Sequence, residues 1–248
     1  MYSPLEQFEI NILFILKLNH VLGFDLIVTN STLYAFLAFG FFLFSILIVN
    51  YTLYVVPSRL QSIIELLYIF IFDLIISQAG LKGQDYFPLF FLIFGFILFS
   101  NLIGLTPYAF TPTSHIIVTF TIAFSCFLGF TILGFIRHGL GFLSFFVPTG
   151  VPVVLLPLMV VIEVMSYFIR PISLSVRLFA NMLAGHTLLH IIAGFVVALM
   201  NISLLLGIIP FVLLLAITLL EFGIAFLQAY VFVILLAIYL NDSLNIAH

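Results

Sequence analysis

The sequence is short of charged residues, cysteine and tryptophan. Only 6% of its 248 residues are Asp, Glu, Lys or Arg, against about 25% in soluble domains. Another 65% are hydrophobic, and a soluble fold cannot bury that much apolar surface. The formal net charge of −3 offers no basic surface to nucleic acid. The composition therefore predicts a protein that crosses a membrane several times, and it excludes a nucleic-acid-binding protein.

Cys126 is the single cysteine, and it lies in the apolar run TIAFSCFLGF. One cysteine forms no internal disulfide, so we expect a structural side chain. Trp is absent, which leaves the ten Tyr as candidates for aromatic anchors at the membrane surfaces. The sequence contains no phosphate-binding loop, nucleophile motif or cofactor fingerprint. We therefore expect no catalytic residue, no cofactor and no metal.

Apolar stretches of about 20 residues mark membrane crossings. The first predicted crossing covers residues 32–56, after an N-terminal segment of residues 1–31. Residues 57–77 interleave charged and apolar side chains, a pattern typical of an amphipathic helix on the membrane surface. Residues 87–105 and 116–136 form a predicted helical hairpin.

Two long apolar stretches follow, at residues 149–199 and 202–240. As helices they would be about 75 Å and about 58 Å long, whereas the hydrocarbon core is only about 30 Å thick. Each stretch is therefore either a broken pair of crossings or one strongly tilted helix. Pro171 and Pro210 favour breaks, and the lack of a polar loop inside either stretch favours continuity. The residues alone leave both possibilities open.

The few basic residues predict the orientation. Arg59 and Lys82 lie between the first two crossings, and Arg137 follows the third. Because loops rich in Lys and Arg stay on the negative side of the membrane, these loops are expected there, and the N-terminus on the positive side.

Arg177 is the most informative residue of the two long stretches. It lies within RPISLSVRLFANMLAGHTLLH, residues 170–190, and a permanent charge at mid-membrane costs about 2.5–3.5 kcal/mol on insertion scales. On a helix, Glu163 and Arg170 lie within about 40° of its face, and Asn181 is one turn further on. His186 points to the opposite face about 13 Å along the axis, whereas Glu163 lies about 21 Å the other way.

A titratable group thus lies on each side of a permanent cation, as proton transport requires. Glutamate and histidine bind and release protons near neutral pH once their surroundings adjust them. Arginine keeps its proton and favours the ionised form of a nearby carboxylate. On the last stretch, Glu221 and Gln228 are seven residues apart and share a helix face. Gln228 and Asn181 are equally suited to interhelical hydrogen bonds.

Three other interpretations fit the same residues. Arg177 could pair with Glu221 as a structural ion pair within one bundle. His186 and His190, four residues apart, could bind a metal or haem, but no third ligand is nearby. A structural subunit of a respiratory complex would tolerate the loss of Arg177 without effect on proton flow.

The segment SVRLFANMLAGH, residues 175–186, resembles subunit a of the F-type ATP synthase. The resemblance extends to NLIGLTPYAF, residues 101–110, and to LEFGIAFLQAYVFVILLAIYLND, residues 220–242. The N-terminal SPLEQFEI is similar to that of fungal mitochondrial members. The resemblance covers nearly the whole chain.

This resemblance implies an all-α polytopic membrane protein with a single transmembrane domain, residues 1–248. It favours two long, steeply tilted helices packed against a rotor ring of c subunits. The implied location is the mitochondrial inner membrane, and the implied partners are the carboxylate-bearing c-ring, the peripheral stalk, other membrane subunits, lipid and protons. The alternative is a self-contained proton-coupled transporter or channel, which would work without a ring.

The resemblance also implies roles for single residues. Arg177 matches the essential arginine that separates two aqueous half-channels and attracts the c-ring carboxylate. His186 and Glu221 match the half-channel on the positive side, and Glu163 matches the half-channel on the matrix side. Further matching positions are Asn181 and Gln228, with Asp242 and His248 as a possible matrix mouth. The subunit itself is expected to be a non-catalytic proton channel.

Overall fold

The structure is a computed structural model that describes residues 6–17, 25–51, 57–106, 109–147 and 155–245. Within these residues, an antiparallel pair of strands, β1 (Ile12–Lys17) and β2 (Asp25–Thr29), precedes the helices. The long helices are α1 (Asn30–Tyr51), α2 (Arg59–Ala79), α3 (Phe87–Gly104), α4 (Ile116–His138), α5 (Leu156–Met200) and α6 (Leu204–Leu244). Short 3-10 helices cover Glu6–Phe8, Leu81–Tyr86, Pro112–Ser114 and Gly139–Phe146.

The two-stranded sheet is an addition to the expected N-terminal segment. Its register runs from Ile12 opposite Thr29 to Lys17 opposite Asp25. The backbone N–H of Asn30 donates to the Asn11 carbonyl at 3.1 Å, and the Asn11 N–H donates to the Asn30 side chain at 3.2 Å. The sheet is therefore tied to the first residue of α1.

Local sequence signals set the ends of two helices. Ser58 caps the start of α2 by accepting from the Gln61 N–H at 3.4 Å, which satisfies one of the free amides of the first turn. Gly80, at φ 69°, ends the same helix, and Gly139, at φ 57°, follows α4. Both glycines adopt a left-handed conformation that other residues rarely adopt.

The described helices confirm an all-α polytopic membrane protein, apart from the small sheet. Six of them are long and apolar enough to cross a membrane. This group includes α2, so its predicted position on the membrane surface stays a prediction. The last residues of the first predicted crossing, 52–56, and the first residues of the long stretch, 149–154, lie outside the described residues.

Each of the two long apolar stretches forms one continuous helix. Pro171 lies inside α5 and Pro210 inside α6, and neither ends its helix. Near Pro171, the hydroxyls of Ser173 and Ser175 each donate to a carbonyl three residues earlier, at 2.9 Å. The tilt of the two helices stays a prediction.

The chain forms two compact units. The first unit contains Met1–Thr52, Gly95–His115 and Phe179–Ala229, and the second contains Leu53–Phe94, Ile116–Leu178 and Tyr230–His248. In the first unit, Phe42 is buried and packs on Phe99 with ring centroids 5.7 Å apart. The second unit has an aromatic cluster of Phe127, Phe142 and Tyr167, with Phe145 and Phe146 against it.

Candidate functional site

The first unit buries an unusual number of polar side chains for so apolar a chain. These are Ser100, Asn101, Thr111, Thr113, Ser114, Glu221 and Gln228. Burying a polar group is costly unless it is hydrogen-bonded, and an ionisable residue inside a membrane segment marks a functional site by default. The buried polar side chains of the first unit therefore form the candidate functional site.

His186, on α5, contacts the segment that follows α3. Its Nε2 lies 3.1 Å from the Thr111 hydroxyl oxygen. The backbone carbonyl of Thr111 accepts from both the N–H and the hydroxyl of Ser114, at 3.1 and 2.6 Å. A closed 3-10 turn thus presents the Thr111 hydroxyl to the imidazole.

Glu221, on α6, packs against the residue next to His186. The side chain is only 7% exposed, and a methyl group added at Gly185 would lie 3.0 Å from its carboxyl carbon. Within the described residues, its Oε2 is buried without a hydrogen-bond partner. The missing side chain at position 185 is therefore what makes room for the carboxylate.

Asn101 connects the same turn to α6. Its Oδ1 accepts from the Thr113 hydroxyl at 2.8 Å, and its Nδ2 donates to the Ala225 carbonyl at 3.4 Å. Ala225 lies one turn after Glu221. The turn after α3 thus contacts His186 directly, and through Asn101 it is linked to α6 one turn after Glu221.

Asn181 and Gln228 are hydrogen-bonded to each other. The Asn181 Nδ2 donates to the Gln228 Oε1 at 2.8 Å. Gln228 is buried at 4% exposed, whereas Asn181 is exposed. This contact joins α5 to α6, as expected of polar side chains between membrane helices.

Four buried side-chain atoms of the described residues have no hydrogen-bond partner, and all four belong to the first unit. They are Ser100 Oγ, His115 Nε2, Glu221 Oε2 and Gln228 Nε2. Buried polar atoms of this kind are usually satisfied by internal water. Each of these four atoms therefore has a free hydrogen-bonding position that an internal water molecule can fill.

His115 lies just before α4 and stacks on Phe110, with ring centroids 5.1 Å apart. Burial lowers the pKa of His115 because the charged imidazolium loses its hydration. Burial therefore favours the neutral form of the ring.

In the second unit, Arg170 and Asp242 form an ion pair. The Arg170 Nη1 donates to the Asp242 Oδ2 at 2.7 Å, and the side chains are 24% and 27% exposed. The guanidinium carbon also lies 5.9, 5.7 and 5.5 Å from the ring centroids of Phe145, Tyr167 and Tyr239. A cation near several aromatic rings is stabilised further. The Arg170 guanidinium is therefore held by both the ion pair and the rings.

Arg177 behaves differently from Arg170. Its side chain is exposed on α5, and it has no ion pair or hydrogen bond among the described residues of the second unit. Glu163 is half-buried and is likewise unpaired within the described part of that unit. One arginine of α5 is thus paired within the second unit, and the other is exposed.

The structure brings some of the predicted residues together and leaves others apart. Asn181 forms a hydrogen bond with Gln228. Asp242 forms an ion pair with Arg170, a pairing that the sequence analysis did not predict. His248 lies outside the described residues. Among the residues that the structure describes, no group of three or more His, Cys, Asp or Glu is placed to hold a metal ion.

Thr111, Asn101 and Gly185 were missed by the sequence analysis. The first two lie near the polar hinge TPYAFTPTSH, residues 106–115, which interrupts two apolar helices. This polar interruption is the sequence feature that could have predicted Thr111 and Asn101 as site residues. The contact of Thr111 with His186 joins residues 75 positions apart, and no local pattern encodes it.

Comparison with known proteins adds the family context. The profile of the ATP synthase A chain family matches residues 31–241. An "ATP synthase subunit a" from Pelagibacter ubique (strain HTCC1062) is 56% identical over 192 residues, which are 77% of this chain and 78% of the relative. An "ATP synthase subunit a" from Acanthamoeba castellanii is 47% identical over 250 residues and is covered over its full length, as is this chain.

Proposed function

The chain belongs to the ATP synthase A chain family, and we propose that its polar residues form two proton paths separated by Arg177. As a member, it is a multi-pass membrane protein and the proton-translocating stator subunit of the complex. The family match gives no support to a self-contained transporter. The chain is a channel component, and ATP is made elsewhere in the complex.

The path on the positive side of the membrane uses Glu221 and His186. A proton enters the polar interior of the first unit, is carried by these two groups, and neutralises a carboxylate on the c-subunit ring. A neutral carboxyl group can then move into lipid, because the cost of a bare charge there is removed. The buried atoms without partners, such as Glu221 Oε2, support a hydrated route to this point.

The path on the negative side uses Glu163. After nearly a full turn of the ring, the carboxyl group releases its proton towards Glu163, with Asp242 and His248 near the mouth. Asp242 is held by Arg170 at 2.7 Å, which fits a polar group at the mouth of this path. Glu163 is half-buried and has no ion pair among the described residues of the second unit, which fits a group that exchanges protons with water.

Arg177 is the barrier between the two paths. Arginine stays protonated, so it attracts the ionised ring carboxylate and blocks proton flow past itself. The observation that carries this proposal is the contrast within α5. Arg170 is paired inside its own unit, whereas Arg177 is exposed and has no ion pair among the described residues of that unit.

The location and the remaining partners follow from the same proposal. We place the chain in the mitochondrial inner membrane, where the positive side is the intermembrane space. Besides the c-ring, its partners are the peripheral stalk and other membrane subunits. Each proton that crosses makes about 2.3 kcal/mol available per 100 mV, and the ring converts this into rotation.

Exchange of His186 and Glu221 tests the positive-side path. In reconstituted complexes, His186→Ala and Glu221→Gln should each slow proton uptake, and the double exchange His186→Glu with Glu221→His should recover part of it. A double-mutant cycle on proton flux measures whether the two act as one site. Strictly additive losses would contradict a shared path.

A further inference from the structure

We propose that Thr111 is the positioning residue that holds the His186 imidazole in place for proton transfer. The inference rests on the proposed role of His186 as a proton carrier and adds a residue to that path. Its geometric basis is the contact of 3.1 Å between the Thr111 hydroxyl and His186 Nε2, which joins the turn after α3 to α5.

A hydroxyl is suited to this task because it both donates and accepts hydrogen bonds. When Nε2 carries no proton, the Thr111 hydroxyl donates to it. When Nε2 carries the proton, the same oxygen accepts the bond from the imidazole. The ring therefore keeps a partner in both states and need not turn between them.

Thr111 is itself buried and held in place by its neighbours. It is 3% exposed, and Ser114 closes the turn on its carbonyl. On α3, Gly104 leaves space for its side chain, since an added Cβ there would lie 3.0 Å from the Thr111 Cβ. Asn101 then anchors the turn to α6 through Thr113 and Ala225.

The other titratable groups around the turn differ from His186. Glu221 packs on Gly185 from α6, and His115, at the far end of the turn, stacks on Phe110 with its Nε2 unpaired within the described residues. His190, one turn further along α5, is exposed. Within the described residues, His186 alone among these histidines has a side-chain hydrogen-bond partner.

The test compares Thr111→Val, which keeps the shape but removes the hydroxyl, with Thr111→Ser, which keeps the hydroxyl. Thr187→Val is the matched control, since the Thr187 hydroxyl donates to a carbonyl of its own helix, that of Ala184, at 2.9 Å. Complexes carrying each variant are reconstituted, the amount of assembled chain is measured, and proton flux is recorded while the pH on the positive side is varied.

We expect Thr111→Val to lower the flux per assembled complex about tenfold, as for one lost buried hydrogen bond. Half-maximal flux should also move to a more acidic pH on the positive side, because the protonated imidazole loses the stronger, charge-assisted bond. Thr111→Ser should restore both values, and Thr187→Val should leave both unchanged.

Two outcomes would overturn the inference: an unchanged pH profile in Thr111→Val, or a serine variant as impaired as the valine variant. Should Thr111→Val fail to assemble, the pH profile of Thr111→Ser decides, because a shift in that variant contradicts a positioning hydroxyl. His186→Ala separates this inference from the proposed function. If His186→Ala has normal flux, His186 is not a proton carrier and the proposed function itself is contradicted. If His186→Ala has slow flux but Thr111→Val has normal flux, only the positioning role of Thr111 is contradicted.

Discussion

Arg170 and Asp242 are 72 residues apart in the chain, yet their side chains form an ion pair with a distance of 2.7 Å. The pair joins the middle of α5 to the end of α6 within the second unit. It leaves Arg177 as the arginine of α5 that is unpaired among the described residues of that unit.

Loss of one member of this pair should destabilise the chain. Breaking a buried pair costs about 3–5 kcal/mol, and an exposed one about 0–1 kcal/mol. The side chains here are partly exposed, so we expect about 2 kcal/mol for Arg170→Gln, in the direction of lower stability. In a thermal double-mutant cycle on the assembled complex, Asp242→Asn should partly compensate for Arg170→Gln. Fully additive losses would show that the two side chains are not coupled.

A side chain at Gly185 should obstruct Glu221. In Gly185→Ala the new methyl group would lie 3.0 Å from the carboxyl carbon, and overpacking of this kind costs about 1–3 kcal/mol. We expect proton flux to fall about tenfold, which corresponds to about 1.4 kcal/mol.

Gly194→Ala provides the control for this variant. Gly194 lies on the same helix, and a methyl group there would meet nothing within 4 Å. Its flux should equal that of the unmodified chain. An equal loss in both variants would assign the effect to α5 in general rather than to Glu221.

Replacement of Glu163 by Gln removes a titrating group and keeps the shape of the side chain. Because Glu163 is proposed to receive the released proton, Glu163→Gln should assemble and lose most of its proton flux. The remaining flux should depend less on the pH of the negative side. If the variant and the unmodified chain had the same flux and the same dependence on the negative-side pH, Glu163 would be a structural residue.

The class of the protein and the polar segment of α5 were predictable from the sequence, because both depend on composition and local order. The 6% of charged residues requires a membrane protein, and Arg177 stands out against that background. The continuity of α5 and α6 was left open by the residues, because Pro171 and Pro210 argue for breaks. Proline is tolerated inside membrane helices, and both prolines lie within uninterrupted helices here.

The contacts between elements were not predictable in the same way. Thr111 meets His186, and Asn101 meets Ala225, across 75 and 124 residues. Neither pairing follows from a helical period, because it depends on how the turn after α3 packs. The strands β1 and β2 were also missed. Their apolar residues carry no clear alternation, and their pairing is a contact between two separate segments.

Replacement of Arg177 is the most direct test of its proposed role as the barrier between the two proton paths. Reconstituted complexes with Arg177→Ala, assembled to the normal level, should make no ATP from an imposed proton gradient, since nothing then separates the two paths or holds the ring carboxylate ionised. Arg177→Lys should also fail, because lysine lacks the guanidinium fork and can lose its proton when desolvated. Normal ATP synthesis in an assembled Arg177→Ala complex would contradict the account.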